Sequence, residues 1–185
     1  MSRRKPRLYA FAPEVELGWF TEVTPGSSDW VLLAAAVRAF AEVCATREFP
    51  ETHRAALLDA AVHPHAAVRG LGVMRLAVLS HYFPTAGEAL RALAAHPEED
   101  VRMWAIGAMA NTPAAVAVPA LEQGVLDPRW AVRKAAAQVL AALPLPGSLA
   151  AVERALAAER DARVRVVLSL AAELQARDAG SAGDE

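Results

Sequence analysis

Residues 127–143 read DPRWAVRKAAAQVLAAL and carry the signals of a single amphipathic helix. Asp127 is a residue type that caps helices, because its carboxylate accepts backbone N–H groups that lack an intrahelical partner. Pro128 suits the first helical position, where no N–H is needed. The stretch therefore predicts a capped helix with one apolar face, formed by residues that recur at helical spacing: Val132, Ala136, Val139, Leu140 and Leu143.

The same design recurs along the chain in register with a Val-Arg pair. Successive pairs are 33, 31 and 32 residues apart, and they lie at Val68-Arg69, Val101-Arg102, Val132-Arg133 and Val164-Arg165. The position four residues after each Val is small in the first three copies, which lets neighbouring helices approach closely: Gly72, Ala105, Ala136 and Leu168. A second predicted helix precedes each copy. A period near 32 residues predicts helix-turn-helix units that bury their apolar faces by stacking.

The repeat resembles a known family. The run AVPAL at residues 117–121, then LDP at 126–128, Val132-Arg133, Ala136 and Leu140, looks like a HEAT repeat. More closely it resembles the short, bacterial-style HEAT-like repeats first noticed in phycobilisome lyases. The likeness covers about residues 52–176. It implies an all-α fold, a right-handed α-α superhelix of about five helix pairs, whose second helices line the concave face.

Three segments are expected. Residues 1–29 form a non-repeat amino-terminal extension, residues 30–176 the HEAT-like solenoid, and residues 177–185 a disordered tail. In the extension, Val15, Trp19 and Phe20 could form one face of a short helix, although an extended segment is equally compatible. The extension either caps the apolar end of the solenoid or docks a partner, since aromatic residues are concentrated there: Tyr9, Phe11, Trp19 and Phe20.

The charge balance excludes a global attraction to polyanions. The formal net charge is −2, so neither nucleic acid nor an anionic membrane is favoured overall. Four cations are concentrated at Arg3, Arg4, Lys5 and Arg7, which either form a solvated tail or contact phosphate. Cys44 is the only cysteine and is expected to be a small buried hydrophobe. Without a long apolar run or a secretory signal, the cytoplasm is the expected location and no membrane partner is predicted.

The repeated arginines and one tryptophan are the candidate binding residues. The arginines are best explained structurally, as partners of the acidic Asp127 or Glu159 position in their own or the next unit. Trp130 occupies a position that holds Ala66, Glu99 and Ala162 in the other copies, so the fold does not require it. Trp104 is expected in the core. A partner-binding surface is predicted on the second helices, at Trp130, Arg129, Arg133, Lys134 and Arg102.

No motif points to catalysis. His63 and His96 occupy equivalent positions and are predicted to cap helices, as is His65, because no ligand cluster with zinc spacing surrounds them. Asp127 and Asp161 lie at capping positions and cannot be matched to the catalytic Asp of HEAT-like DNA glycosylases. We therefore predict no metal, no cofactor and a non-catalytic scaffold that binds a protein. A nucleic-acid binder that uses the basic tail and the Trp130 region is the alternative, and a lyase or glycosylase-type enzyme or subunit is a more distant one.

Overall fold

The structure, a computed structural model, describes residues 8–143, 145 and 148–181. It is 74% helix, and no strand occurs in the part it describes, which confirms the predicted all-α class. The chain divides into two compact units, Met1–Leu93 and Ala94–Glu185. The domain boundaries inferred from the sequence remain a prediction.

The amino-terminal unit is built around one long helix. It contains α1 (Pro13–Leu17), α2 (Ser28–Thr46), α3 (Glu51–Ala61), α4 (Ala66–Leu79) and α5 (Pro84–Ala94), which ends one residue beyond the unit. Helices α3 and α4 form a hairpin, and α2 packs against both of them. Ser27 caps α2, since its Oγ accepts the Trp30 N–H at 3.1 Å.

The extension before α2 folds onto this unit. Helix α1 packs against α2, and Arg47 Nη1 donates a hydrogen bond of 2.8 Å to the Leu8 carbonyl. The predicted apolar face is wrong, because Val15 and Trp19 are both 54% exposed. The helix turns Glu16 and Leu17 inward instead. The predicted basic tail, Arg3, Arg4, Lys5 and Arg7, lies outside the described residues.

A buried ion pair fixes α1 to α4. Glu16 is only 1% exposed, and its Oε1 accepts a hydrogen bond from Arg75 Nη2. The Arg75 guanidinium also lies 4.2 Å from the centroid of the Phe40 ring. Glu16 Oε2 and Arg75 Nε have no hydrogen-bond partner among the described residues. The inward-facing position of α1 is therefore held by a charged residue, although helical periodicity predicts an apolar residue there.

The carboxy-terminal unit has three second helices side by side. It contains α6 (Glu99–Ala108), a 3₁₀ turn (Met109–Asn111), α7 (Ala114–Gly124), α8 (Trp130–Ala142), α9 (Leu149–Ala158) and α10 (Ala162–Ser181). Helix α8 contacts α7 within its own hairpin and packs against both α6 and α10. Helix α7 continues through Pro119 without ending there. Helix α10 continues past Ala176, the predicted end of the repeats.

The repeat register is confirmed at its defining position. Val68, Val101, Val132 and Val164 are each the third residue of a second helix, and each is 0% exposed. The small residue at the next turn also has the predicted role. A Cβ on Gly72 would lie 2.5 Å from the Ala61 nitrogen and 2.7 Å from the Leu57 carbonyl oxygen, so α4 packs directly on the α3 backbone.

The residue six positions before the repeated arginine accepts a backbone hydrogen bond and so forms a tight turn just before the second helix. Asp127 Oδ1 accepts the Arg129 N–H at 2.8 Å, while the N-cap position itself is Arg129. Pro128 therefore precedes α8 and is not its first residue, which corrects the prediction. The reason is that Asp and Asn side chains readily accept the N–H two residues on, which makes a tight turn. His63 and His96 act in the same way through Nδ1, on the N–H groups of His65 and Glu98.

Candidate functional site

Each repeated arginine reaches back into the turn before its own helix. Arg102 Nη1 donates to the carbonyls of His96 at 2.8 Å and Pro97 at 2.9 Å. Arg133 Nη1 makes the same pair of bonds, to Asp127 at 2.8 Å and Pro128 at 3.1 Å. These bonds satisfy backbone carbonyls that face away from any helical partner. The arginine therefore stabilises the turn. Because the guanidinium is planar, the same two bonds also set the orientation of the arginine side chain.

The opposite edge of the same guanidinium binds the next hairpin. Arg102 pairs bidentately with Asp127, at 2.7 Å from Nε to Oδ2 and 3.1 Å from Nη2 to Oδ1. Arg133 pairs in the same way with Glu159, at 2.6 Å and 3.0 Å. The four side chains are between 4% and 19% exposed. The structural interpretation of the arginine series is thereby confirmed for Arg102 and Arg133, which connect successive hairpins.

The ion pairs shift the protonation equilibria of their members. The hydrogen bond from Arg133 holds the pKa of Glu159 below its ordinary value against the opposing effect of burial, and the N–H groups of Asp161 and Arg160 add to it. The hydrogen bond to Asp127 raises the pKa of Arg102. All three guanidinium nitrogens of Arg102 and of Arg133 are thus engaged within the chain. Of the five predicted partner-binding residues, these two already have a structural role.

Trp130 is placed by the repeat at the open edge of the unit. It is the first residue of α8, as Ala66, Glu99 and Ala162 are the first residues of α4, α6 and α10. The Trp130 side chain is 39% exposed. The Arg163 guanidinium lies over the indole, 3.6 Å from the ring centroid. Sequence reasoning missed Arg163, although its place in the first turn of α10, next to Ala162 at the Trp130 position of the following repeat, was a usable signal.

Acidic side chains neutralise most of the cations around Trp130. Arg163 donates to Asp161 from Nε at 3.0 Å and from Nη2 at 2.7 Å, and these bonds lower the pKa of Asp161 to about 2. Arg129 lies 3.4 Å from Glu99. The predicted site residues Trp130, Arg129 and Lys134 therefore share one surface, but that surface is not a cationic patch.

Apolar side chains continue the exposed face on α10. Val166 is 71% exposed and Leu170 is 50% exposed. They follow Ala162 by four and eight residues, and so lie on the same side of the helix. The equivalent residues on α8 are Lys134 and Gln138. We call six neighbouring residues of this unit the Trp130 surface; all are exposed except Lys134, which is half-buried: Arg129, Trp130, Lys134, Arg163, Val166 and Leu170.

Two open clefts lie at the turns, where the arginine pairs form their walls. The cleft of about 300 Å³ contains Arg133 and Glu159, and that of about 570 Å³ contains Arg102 and Asp127. Leu126, which is 67% exposed, borders both. No group of three or more His, Cys, Asp or Glu side chains able to hold a metal ion occurs in the described part of the chain. The acids in the clefts are engaged by arginine, so they are poorly placed for acid–base chemistry.

Two single-residue predictions have different outcomes. Cys44 is buried as expected, at 8% exposure, and burial raises the pKa of its thiol although Arg47 and Arg75 act in the opposite direction. Trp104 is only half-buried, so its assignment to the core is wrong. Its repeat position is also half-buried at Ala135 and Val167, whereas the equivalent Leu71 of the other unit is buried. In the carboxy-terminal unit this helix face therefore lies at the margin of the core. None of the described helices is long and apolar enough to cross a membrane.

Comparison with known proteins agrees with the geometry. The family model for HEAT repeats matches residues 87–171, a span that begins in α5 and ends in α10. No curated protein matches this chain. The match covers three of the four Val-Arg copies, those on α6, α8 and α10, and the arginine–carboxylate contacts join the same hairpins. Residues 87–171 are thus similar to HEAT repeats, and the all-α fold is consistent with a HEAT-like helical solenoid.

Proposed function

We propose that this protein is a non-catalytic scaffold that binds a protein partner through the Trp130 surface. HEAT repeats commonly mediate protein-interaction scaffolding. The observation that supports this surface is a half-exposed tryptophan at a position where the other repeats hold alanine or glutamate. A large apolar side chain that the fold does not require is the kind of residue that anchors an interface.

The surroundings of Trp130 favour binding of a protein over binding of nucleic acid. The indole is already oriented by Arg163 at 3.6 Å, so little side-chain freedom would be lost on binding. Val166 and Leu170 add exposed apolar area on the neighbouring helix. The adjacent cations Arg129 and Arg163 face acidic partners, which weakens the attraction to phosphate on which nucleic-acid binding depends.

Capture experiments test the proposal directly. Wild type, Trp130→Ala and Trp19→Ala proteins are immobilised, and proteins retained from a lysate of the source organism are quantified by mass spectrometry. Trp19 is the matched control, because it is an exposed tryptophan in the other unit. Loss of a tryptophan anchor typically weakens binding by about 2 kcal/mol or more, roughly 30-fold in affinity. A partner that wild type and Trp19→Ala retain should therefore be depleted with Trp130→Ala.

If every retained protein is captured alike by wild type and Trp130→Ala, the Trp130 surface does not bind the partner. Fluorescence anisotropy with labelled single-stranded DNA tests the alternative. Binding that is strong at low salt and falls steeply as salt is raised would favour a nucleic-acid ligand instead.

A further inference from the structure

Arg165 on α10 repeats one of the two turn contacts made by Arg102 and Arg133, and it lacks the carboxylate partner that those two arginines have. Its Nη1 donates to the Glu159 carbonyl at 2.9 Å and the Leu156 carbonyl at 3.2 Å. The carbonyl six residues earlier is the same acceptor that Arg102 and Arg133 use. Among the described residues no carboxylate pairs with Arg165. The side chain is exposed, whereas Arg102 and Arg133 are partly buried.

The orientation of Arg165 follows from the turn that holds it. In Arg102 and Arg133, fixing Nη1 on the turn directs the Nε and Nη2 edge to the acid of the following hairpin. Arg165 shares the carbonyl six residues earlier but takes the Leu156 carbonyl instead of the one five residues earlier. Its Nη1 is therefore held at the turn, while its Nε and Nη2 have no acceptor among the described residues and remain available to a partner beyond α10. A carboxylate there would be bound by two parallel hydrogen bonds.

The helix face beside Arg165 is open at positions that are covered on α8. Ala137 and Leu140 of α8 are 0% exposed, in the helix that packs against α10. Their equivalents one repeat later are Ser169, which is exposed, and Ala172, which is half-buried. Both side chains are small, so a helix could approach α10 closely. We call these three residues, Arg165, Ser169 and Ala172, the Arg165 face.

We propose that the Arg165 face docks a helical hairpin of another protein that carries an Asp or Glu in its turn. The hairpin would stack on α10 as the α9–α10 hairpin stacks on α8. A second copy of this chain is a poor occupant, because its turn acids Asp127 and Glu159 are already bound by Arg102 and Arg133. The turns before α4 and α6 carry His63 and His96 at that position and offer no carboxylate there. This surface is distinct from the Trp130 surface.

A hairpin of known sequence serves as the probe. The full chain is extended at its carboxyl terminus, through a short Gly-Ser linker, by a second copy of residues 148–181, which contains the Glu159 turn. Tethering supplies a high effective concentration, so that docking does not depend on the hairpin folding alone. Ser169→Cys in the original α10, on a Cys44→Ala background, reports coverage of the face through its rate of thiol labelling.

Docking should slow labelling of the Ser169→Cys thiol by about tenfold or more relative to the unextended chain, since a covered thiol reacts only when the face opens. Labelling should return to within about twofold of the unextended rate when Arg165→Ala is added, or when the appended copy carries Glu159→Gln. Circular dichroism confirms that each variant is folded, and Arg165→Lys, which keeps the charge but loses the bidentate geometry, replaces Arg165→Ala if needed.

Three results would overturn the proposal. Equal labelling rates with and without the appended hairpin would show that the face accepts no such element. If labelling remains slow in the Arg165→Ala variant, docking does not depend on binding of the turn carboxylate by Arg165. Labelling of the unextended chain that slows as protein concentration rises would show that a second copy occupies the face, and the assignment to another protein would be withdrawn.

Discussion

Two glycines in the second helices differ in what an added methyl group would meet. A Cβ at Gly72 would lie 2.5 Å from the Ala61 nitrogen and 2.9 Å from the Ala60 carbonyl carbon. These are backbone atoms of α3, which cannot rotate aside. At Gly107 on α6, no atom lies within 4 Å of the same added Cβ. Gly72 thus allows α3 and α4 to approach each other, whereas Gly107 has no packing role.

The first prediction follows from this contrast. Gly72→Ala should lower the free energy of unfolding by about 2–3 kcal/mol, because α3 and α4 must move apart. Gly107→Ala should change it by less than about 1 kcal/mol, with a stabilising sign, because alanine is the better helix former. Urea denaturation of both variants and wild type measures the difference. Equal effects at the two positions would mean that the close contact of α4 with α3 is absent.

Residue-level prediction succeeded where the repeat determines burial and failed where side-chain chemistry decides position. The four repeat valines follow from spacing alone and are fully buried. Asp127 was expected to be an N-cap, but its short carboxylate instead reaches the Arg129 N–H in the preceding turn. Trp104 was assigned to the core by comparison with its equivalents, yet this position is half-buried at Trp104, Ala135 and Val167 alike.

At the level of single elements, α1 depends on one ion pair. Glu16 is buried and bonded to Arg75, whose side chain is 23% exposed. Glu16→Ala should destabilise the protein by about 3 kcal/mol, since it leaves the Arg75 charge partly buried without its partner. Glu14→Ala is the matched control, because Glu14 is exposed on the same helix, and it should change stability by no more than about 0.5 kcal/mol. Thermal or urea unfolding gives both values.

If Glu16→Ala were as stable as Glu14→Ala, the ion pair would not fix α1 to α4. The amphipathic pattern could not have predicted this contact, because it assigns glutamate to the solvent. Only the three-dimensional packing of α1 against α2 shows that Glu16 points inward and that Arg75 forms an ion pair with it.

The contact between α8 and α10 should be sensitive to acid. Since the folded-state pKa of Glu159 lies below its ordinary value of 4.5, the ionised carboxylate favours the folded state. Its contribution is complete above pH 4.5 and is lost as the pH falls through the folded-state pKa. Glu159→Gln cannot titrate and should be less stable than wild type at pH 7 by about 2 kcal/mol. The difference should shrink as the pH is lowered.

Urea denaturation of wild type and Glu159→Gln between neutral and acidic pH measures that difference. Other carboxylates lower the stability of both proteins in acid, so the gap between the two curves is the informative quantity. A gap that stays constant from pH 7 downward would contradict the assigned role of Glu159.

At the level of the whole molecule, much of the fold was accessible from the sequence, while the binding surface was accessible only in part. A period near 32 residues with apolar residues at fixed offsets predicts stacked helical hairpins, and the HEAT-repeat match over residues 87–171 agrees with it. Trp130 stood out because it breaks the repeat. The contact between Trp130 and Arg163 could not be predicted in this way, because it joins two hairpins and depends on how they pack.

For the repeated arginine, the sequence predicts the position of the residue but not which groups its nitrogens bind. Its position is periodic, so a structural role could be predicted. The division of its nitrogens, with Nη1 on its own turn and the opposite edge on the next hairpin, depends on the depth at which successive hairpins stack. The structure therefore reduces the predicted partner surface to Arg129, Trp130 and Lys134, and it adds Arg163, Val166 and Leu170.

The most direct test of this account is a double-mutant cycle on Arg102 and Asp127, measured by urea denaturation. Asp127→Ala also removes the bond to the Arg129 N–H, but that loss is common to both Asp127 variants and cancels in the cycle. We predict a coupling energy of about 1–3 kcal/mol, with a similar value for Arg133 and Glu159. A coupling near zero for both pairs would contradict the claim that this repeated contact joins successive hairpins.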